Sequence, residues 1–95
     1  IQVIRQYSFD RAFMGSCGID MMDHTVTTLG VEDGLTKKAA IESSRHKYAV
    51  MEREKFYFNE SYKFTQLDEL DGIITDEFPD QSVQDMLDSL GVTLY

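Results

Sequence analysis

The chain has 95 residues, enough for one domain, and its 42% hydrophobic content is that of an ordinary globular protein. Seventeen acidic residues face nine basic ones, a net charge of −8. That excludes DNA binding by this chain alone, which needs lysine and arginine to neutralise phosphates. No apolar run approaches the ~20 residues of a bilayer span, so no membrane partner is expected.

The elements follow in chain order. Ile1, Val3, Ile4 and Tyr7 have the spacing of a helix tail, which Ser8-Phe9-Asp10 ends. A buried strand is expected at 11–15, over Arg11-Ala12-Phe13-Met14-Gly15. Ser16-Cys17-Gly18-Ile19-Asp20 reads as a small-residue loop, and Met21 to Leu29, rich in threonine, as further loop. A helix is expected at about 32–45, with Thr28 or Asp33 as its cap. Leu35, Ala39, Ala40 and Ser43, with Ile41 beside them, form its inner face, and Lys37, Lys38, Glu42 and Arg45 its solvated face. Glu32 and Asp33 at its start and Arg45 and His46 at its end suit the helix dipole, whereas Gly34 disfavours it.

A second strand is expected at 47–51, a polar loop over Glu52 to Phe56, and an alternating strand at Tyr62-Lys63-Phe64. After a short turn at Leu67 to Leu70, a third buried strand occupies 72–75. A second helix at 80–90 is capped by Asp80, turns Val83, Met86, Leu87 and Leu90 inward, and ends at a left-handed Gly91. A last strand covers 92–95. Helix, strand, helix, strand, strand, helix, strand means an α/β fold with a mainly parallel sheet flanked by helices.

In such sheets ligands bind beyond the carboxyl ends of the strands. Three segments stand there: Gly15-Ser16-Cys17-Gly18, Glu52-Arg53-Glu54-Lys55 and Thr75-Asp76-Glu77. The two glycines of the first let backbone N–H groups approach an anion, although a tight turn with no ligand has the same composition. Lys55 supplies charge for a phosphate if it projects into the crevice; otherwise Glu52 and Lys55 are a solvated pair. Lys37 is a further cation or part of a solvated face. Thr27 and Thr28 present hydroxyls to a ligand or cap the helix that follows. Cys17, the single cysteine, forms no internal disulfide, which fits a reducing cytoplasm. As a nucleophile it lacks a defined base, so a buried thiol is the simpler reading. His24 and His46 have no nearby partner of metal-ligand spacing, and no metal or other cofactor is expected. Ile1-Gln2-Val3-Ile4 follows no initiator methionine and reads as the interior of a longer protein.

These segments together resemble the effector domain of DeoR-family bacterial transcriptional regulators. Asp10 to Asp20 is similar to its D-x-A-F-[IM]-G-x-x-G-[IV]-D stretch, and Thr27-Thr28 with Glu32-Asp33 to Lys37 to its T-T and E-E-x-x-x-K stretch. Ala40 to Arg45 resembles M-I-E-x-A-R, Val50-Met51-Glu52 with Lys55-Phe56 resembles L-A-D-x-x-K-F, and Leu70 to Asp76 resembles I-D-x-[IV]-I-T-D. Leu90-Gly91-Val92 resembles the close of the family's domain. Five motifs stand in register over essentially the whole chain.

The resemblance implies a fold shared with ribose-5-phosphate isomerase, glucosamine-6-phosphate deaminase and CoA transferases. It implies a sugar-phosphate effector and operator DNA bound through an N-terminal helix-turn-helix domain. Residues 1–95 would then be the C-terminal part of the effector-binding domain, with that DNA-binding domain and the start of the effector domain absent. The effector site would include Gly15, Ser16, Cys17, Gly18, Thr27, Thr28, Lys37, Glu52 and Lys55, with no catalytic residue. Two positions depart from the pattern: Glu52 stands where the family has Asp, and Gly34 where it has ordinary helix formers. A homo-oligomeric repressor of sugar metabolism, tied to phosphotransferase operons, is expected; the alternative is a sugar-phosphate isomerase or deaminase using Glu52, Asp76 or Glu77 as base.

Overall fold

The computed structural model describes residues 8–15 and 17–95; the helix tail expected at Ile1 to Tyr7, and Ser16, lie outside them. The apolar run after Ser8 forms β1 (Phe9–Met14). It is followed by β2 (Gly18–Asp20), β3 (Thr25–Thr28), α1 (Val31–Glu42) and β4 (Ser44–Met51). A 3-10 turn (Arg53–Tyr57) leads to β5 (Tyr62–Gln66), a second 3-10 turn (Leu67–Glu69), β6 (Gly72–Thr75), α2 (Gln81–Ser89) and β7 (Thr93–Leu94).

The expected parallel sheet is present, in the order β1-β4-β6-β7 with every neighbouring pair parallel. Its strands alternate as a pleated sheet must. Ala12, Met14, Ala49, Met51 and Ile73 are buried, and all but Ala12 share one core cluster with Val83 and Leu87 of α2. The inner face expected for α2 is therefore the real one, and Gly91 ends that helix at φ 77°. On the other face of the sheet, Phe13 and Tyr48 stack at 5.3 Å between ring centroids, and Tyr95 meets Tyr48 edge-on at 6.2 Å. With Ile74 they line a shallow surface hollow. Phe13 is 58% exposed and Tyr95 57%.

The loops expected at Ser16 to Asp20 and Met21 to Leu29 need correction. They contain β2 and β3, which with β5 form a second, antiparallel sheet in the order β2-β3-β5. All four residues of β3 are buried. The β-branched Thr25-Val26-Thr27-Thr28 suits a strand; neighbours satisfy the hydroxyls of Thr27 and Thr28, while the buried Thr25 Oγ1 has no hydrogen-bond partner among the described residues. Thr27 Oγ1 accepts from the Glu60 N–H at 3.0 Å, and Thr28 Oγ1 donates to Asp33 Oδ2 at 2.7 Å. The expected strand at Tyr62 is extended to Gln66 as β5.

The first helix also ends earlier than expected. Ser43 N–H and Ser44 Oγ–H satisfy the carbonyls of Ala39 and Ala40, and Phe9 N–H then takes the Ser43 carbonyl at 2.8 Å. Pairing with β1 thus draws the chain into β4 three residues before the expected start at 47. Arg45 and His46 lie in that strand and complement no helix dipole. The helix starts from Gly30 without a side-chain cap, so neither Thr28 nor Asp33 caps it. Gly34, Ala39 and Ile41 are its buried residues, and Leu35, expected inside, is 38% exposed. Gly34 is explained by packing: a Cβ there would fall 2.3 Å from the Tyr62 ring. Asp80 stands at the N-cap of α2, but its carboxylate makes no cap bond and binds Arg53 instead. The polar stretch after β4 is the 3-10 turn at 53–57, anchored by buried Phe56.

Candidate functional site

Parallel strands deliver their carboxyl ends to one side of a sheet, and β1, β4 and β6 end together here. Met14 lies opposite Ala49, and Met51 opposite Thr75. Beyond these ends opens a crevice of ≈ 440 Å³ lined by Cys17, Val50, Met51, Glu52, Lys55, Ile74, Thr75 and Asp76. Its floor is mostly apolar, and its polar groups stand just past β4 and β6. A mostly apolar cleft with a few convergent polar groups is the ordinary form of a small-molecule site.

Three of the residues expected from sequence line this crevice: Cys17, Glu52 and Lys55. Lys55 rises from the 3-10 turn, its ammonium 4.8 Å from the centroid of the Phe58 ring. Glu52 lies beside other acids. A hydrogen bond with the Glu54 carboxyl, then the negative charges of Glu54 and Asp76, push its carboxyl above the usual range, while Lys55 pulls the other way.

Cys17 is fully buried, and its Sγ–H faces the Gly15 carbonyl at 3.3 Å. Burial pushes the thiol up to about 11, far from the lowered values of reactive cysteines. Gly18 is held against the turn that carries Lys55. Its neighbour Ile19 donates an N–H to the Phe58 carbonyl at 2.8 Å, and a Cβ on Gly18 would fall 2.3 Å from that same oxygen. At Gly15 a Cβ would meet nothing within 4 Å.

Thr27, Thr28 and Lys37 are not among the lining residues. Lys37 donates to Thr28 Oγ1 at 3.1 Å, pairs with Asp33 at 2.7 Å and lies 5.9 Å from the Phe64 ring centroid. Its side chain is only 13% exposed, so it is no part of a solvated helix face. The Lys37 ammonium, with Thr28, holds the Asp33 carboxyl below the usual carboxylate range. The charge of Lys37 also works against the rise of the Cys17 thiol.

Asp76 is the charged lining residue that the expected effector set omits; the sequence offers it in the strand-end segment Thr75-Asp76-Glu77 and as a candidate base. Its Oδ1 accepts from the Arg53 N–H at 3.0 Å and the Thr75 hydroxyl at 3.3 Å. The available signal was its place just past a third parallel strand. His46 lies near the opposite end of β4, 3.9 Å from Asp71, and His24 sits in the β2–β3 turn at φ 56°. Neither histidine lines the crevice. Among the described residues no helix is long and apolar enough to cross a membrane, and no group of three or more His, Cys, Asp or Glu is placed to hold a metal.

Comparison with known proteins agrees with this architecture. The sequence model of the DeoR C terminal sensor domain matches residues 1–77. The chain is 33% identical over 94 residues to the HTH-type transcriptional repressor GlcR of Bacillus subtilis (strain 168), covering 99% of this chain and 36% of that protein. It is 31% identical over 87 residues to the glycerol-3-phosphate regulon repressor of Escherichia coli (strain K12), covering 92% of this chain and 34% of that protein. The chain thus spans about a third of the length of these relatives, both of them transcriptional repressors. With five motifs in register, a parallel sheet ending in a common crevice, and a family match over most of its length, the chain belongs to the DeoR C-terminal sensor domain family.

Proposed function

We propose that this chain is the effector-sensing part of a cytoplasmic DeoR-type repressor of sugar metabolism. A phosphorylated sugar bound in the crevice changes operator binding by a helix-turn-helix domain elsewhere in the full-length protein, two sites coupled through two states. The observation that carries this reading is the convergence of Lys55 with three parallel strand ends on one crevice. In a chain of net charge −8, a lysine at that point offers an anion local attraction. The loop of Gly15, Ser16, Cys17 and Gly18 contributes backbone N–H groups to the phosphate. Glu52 takes sugar hydroxyls. Residues 1–95 form the C-terminal part of the effector domain in this reading.

The test uses the full-length regulator carrying Lys55→Ala, titrated with triose, pentose and hexose phosphates while bound to operator. Glycerol 3-phosphate joins this panel because the Escherichia coli relative is named for its regulon. Effector affinity should fall by ~1.5–3 kcal/mol, the scale of a charged hydrogen bond, with operator affinity unchanged when no effector is present. Unaltered induction would make Lys55 a surface charge and end this assignment. Turnover of a panel member would instead favour an isomerase or deaminase using Glu52, Asp76 or Glu77.

The reading includes self-association. Parallel sheets are normally covered on both faces, and the Phe13–Tyr48–Tyr95 face is an exposed aromatic patch of the kind that marks an interface. Light scattering on residues 1–95 at tens of micromolar should report dimers or larger species, and Phe13→Glu should shift them towards monomer. A strictly monomeric wild-type chain would count against association through this face.

A further inference from the structure

We propose that Arg53 is a positioning residue for this crevice, clamping the 3-10 turn that carries Lys55 onto the segment leading into α2. The inference rests on the effector reading of Lys55 given above. Arg53 commits both backbone and side chain to that segment. Its N–H donates to Asp76 Oδ1 at 3.0 Å, its Nε–H to the Phe78 carbonyl at 3.1 Å, and its Nη2–H to Asp80 Oδ1 at 2.8 Å. Its guanidinium carbon lies 5.7 Å from the centroid of the Tyr57 ring. Tyr57 closes the clamp from the other end of the turn, its hydroxyl oxygen accepting from the Asp80 N–H at 3.0 Å.

Lys55 sits between these two fastened residues, its own N–H bonded back to the Glu52 carbonyl at 2.9 Å. The far anchor is firm. Asp80 stands at the N-cap of α2, whose Val83 and Leu87 are buried in the core. Guanidinium suits this task because a planar fork reaches two acceptors at once and stacks on an aromatic ring. An exposed ion pair contributes little to global stability. The consequence of this one is local, since it fixes where the Lys55 stem leaves the backbone.

The experiment uses the full-length regulator and the same sugar-phosphate panel, titrated calorimetrically. Arg53→Ala should weaken the tightest-binding member roughly tenfold through misplacement of Lys55, with operator affinity in the absence of effector unchanged. Arg53→Lys should recover only part of the loss, because an ammonium cannot span both the Phe78 carbonyl and Asp80. The double variant Arg53→Ala/Lys55→Ala should bind no more weakly than Lys55→Ala alone, a non-additivity that a general loss of stability would not produce. Amide exchange in Arg53→Ala should quicken at Lys55, Phe56 and Tyr57 and stay at the wild-type rate in β4 and α2. Fully additive losses, wild-type affinity in Arg53→Ala, or complete rescue by lysine would each overturn the proposal while leaving the effector reading intact. Wild-type affinity in Lys55→Ala would overturn that reading first, and this proposal with it.

Discussion

Truncation of Phe56 to alanine is expected to cost about 3–5 kcal/mol of folding stability, the range for removing a large buried aromatic side chain. Phe56 is fully buried, and it is the buried residue of the 3-10 turn between β4 and β5. It therefore contributes apolar burial to the core and also pins the short segment from which Lys55 and Glu52 face the crevice. A domain of this size has only about 5–15 kcal/mol of net stability, so the variant should lie close to its unfolding threshold. Urea titration followed by circular dichroism would show the midpoint falling with little change in slope. A midpoint within experimental scatter of wild type would mean that Phe56 does not anchor the turn.

Gly18→Ala is expected to cost about 3 kcal/mol, through overpacking together with a lost hydrogen bond. The added methyl would stand 2.3 Å from the Phe58 carbonyl oxygen and 3.1 Å from Thr27 Oγ1. The first of these is backbone and cannot swing aside like the end of a flexible side chain. Moving Phe58 breaks the 2.8 Å bond that its carbonyl accepts from Ile19 and loosens the join between β2 and the Lys55 turn. Gly15→Ala is the matched control three residues away, because its Cβ meets nothing. It should stay within about 0.5 kcal/mol of wild type, as surface changes usually do. Equal denaturation midpoints for the two variants would remove the steric argument.

Legibility in the sequence followed physical simplicity. Ala12 to Met14, Ala49 to Met51 and Ile73 are apolar runs bounded by polar or small residues, and they fall in the parallel strands where expected. The spacing of Val83, Met86, Leu87 and Leu90 placed α2 correctly, because one amphipathic stripe decides it. Thr25 to Thr28 reads as loop in the sequence because the hydroxyls of Thr27 and Thr28 look solvated until their partners are known. Those partners, Asp33 and the Glu60 amide, are distant or ambiguous in sequence. Lys37 reads from sequence as a further site cation or as part of a solvated face, since nothing local says that Phe64 and Asp33 enclose it. At the crevice, Glu52 and Lys55 were legible from strand-end logic and family resemblance. The bonds of Arg53 to residues 76–80 join segments more than twenty positions apart, which no local pattern encodes.

The stacked rings on the open face of the parallel sheet have an optical consequence. The chain has five tyrosines and no tryptophan, so its ultraviolet emission is tyrosine emission. Tyr48 and Tyr95 stand on that face, with Phe13 against the first of them. Whatever covers the face changes the polarity around both phenols and the quenching between them. The native chain therefore carries its own fluorophores at that surface, and its contacts there can be followed without attaching a dye.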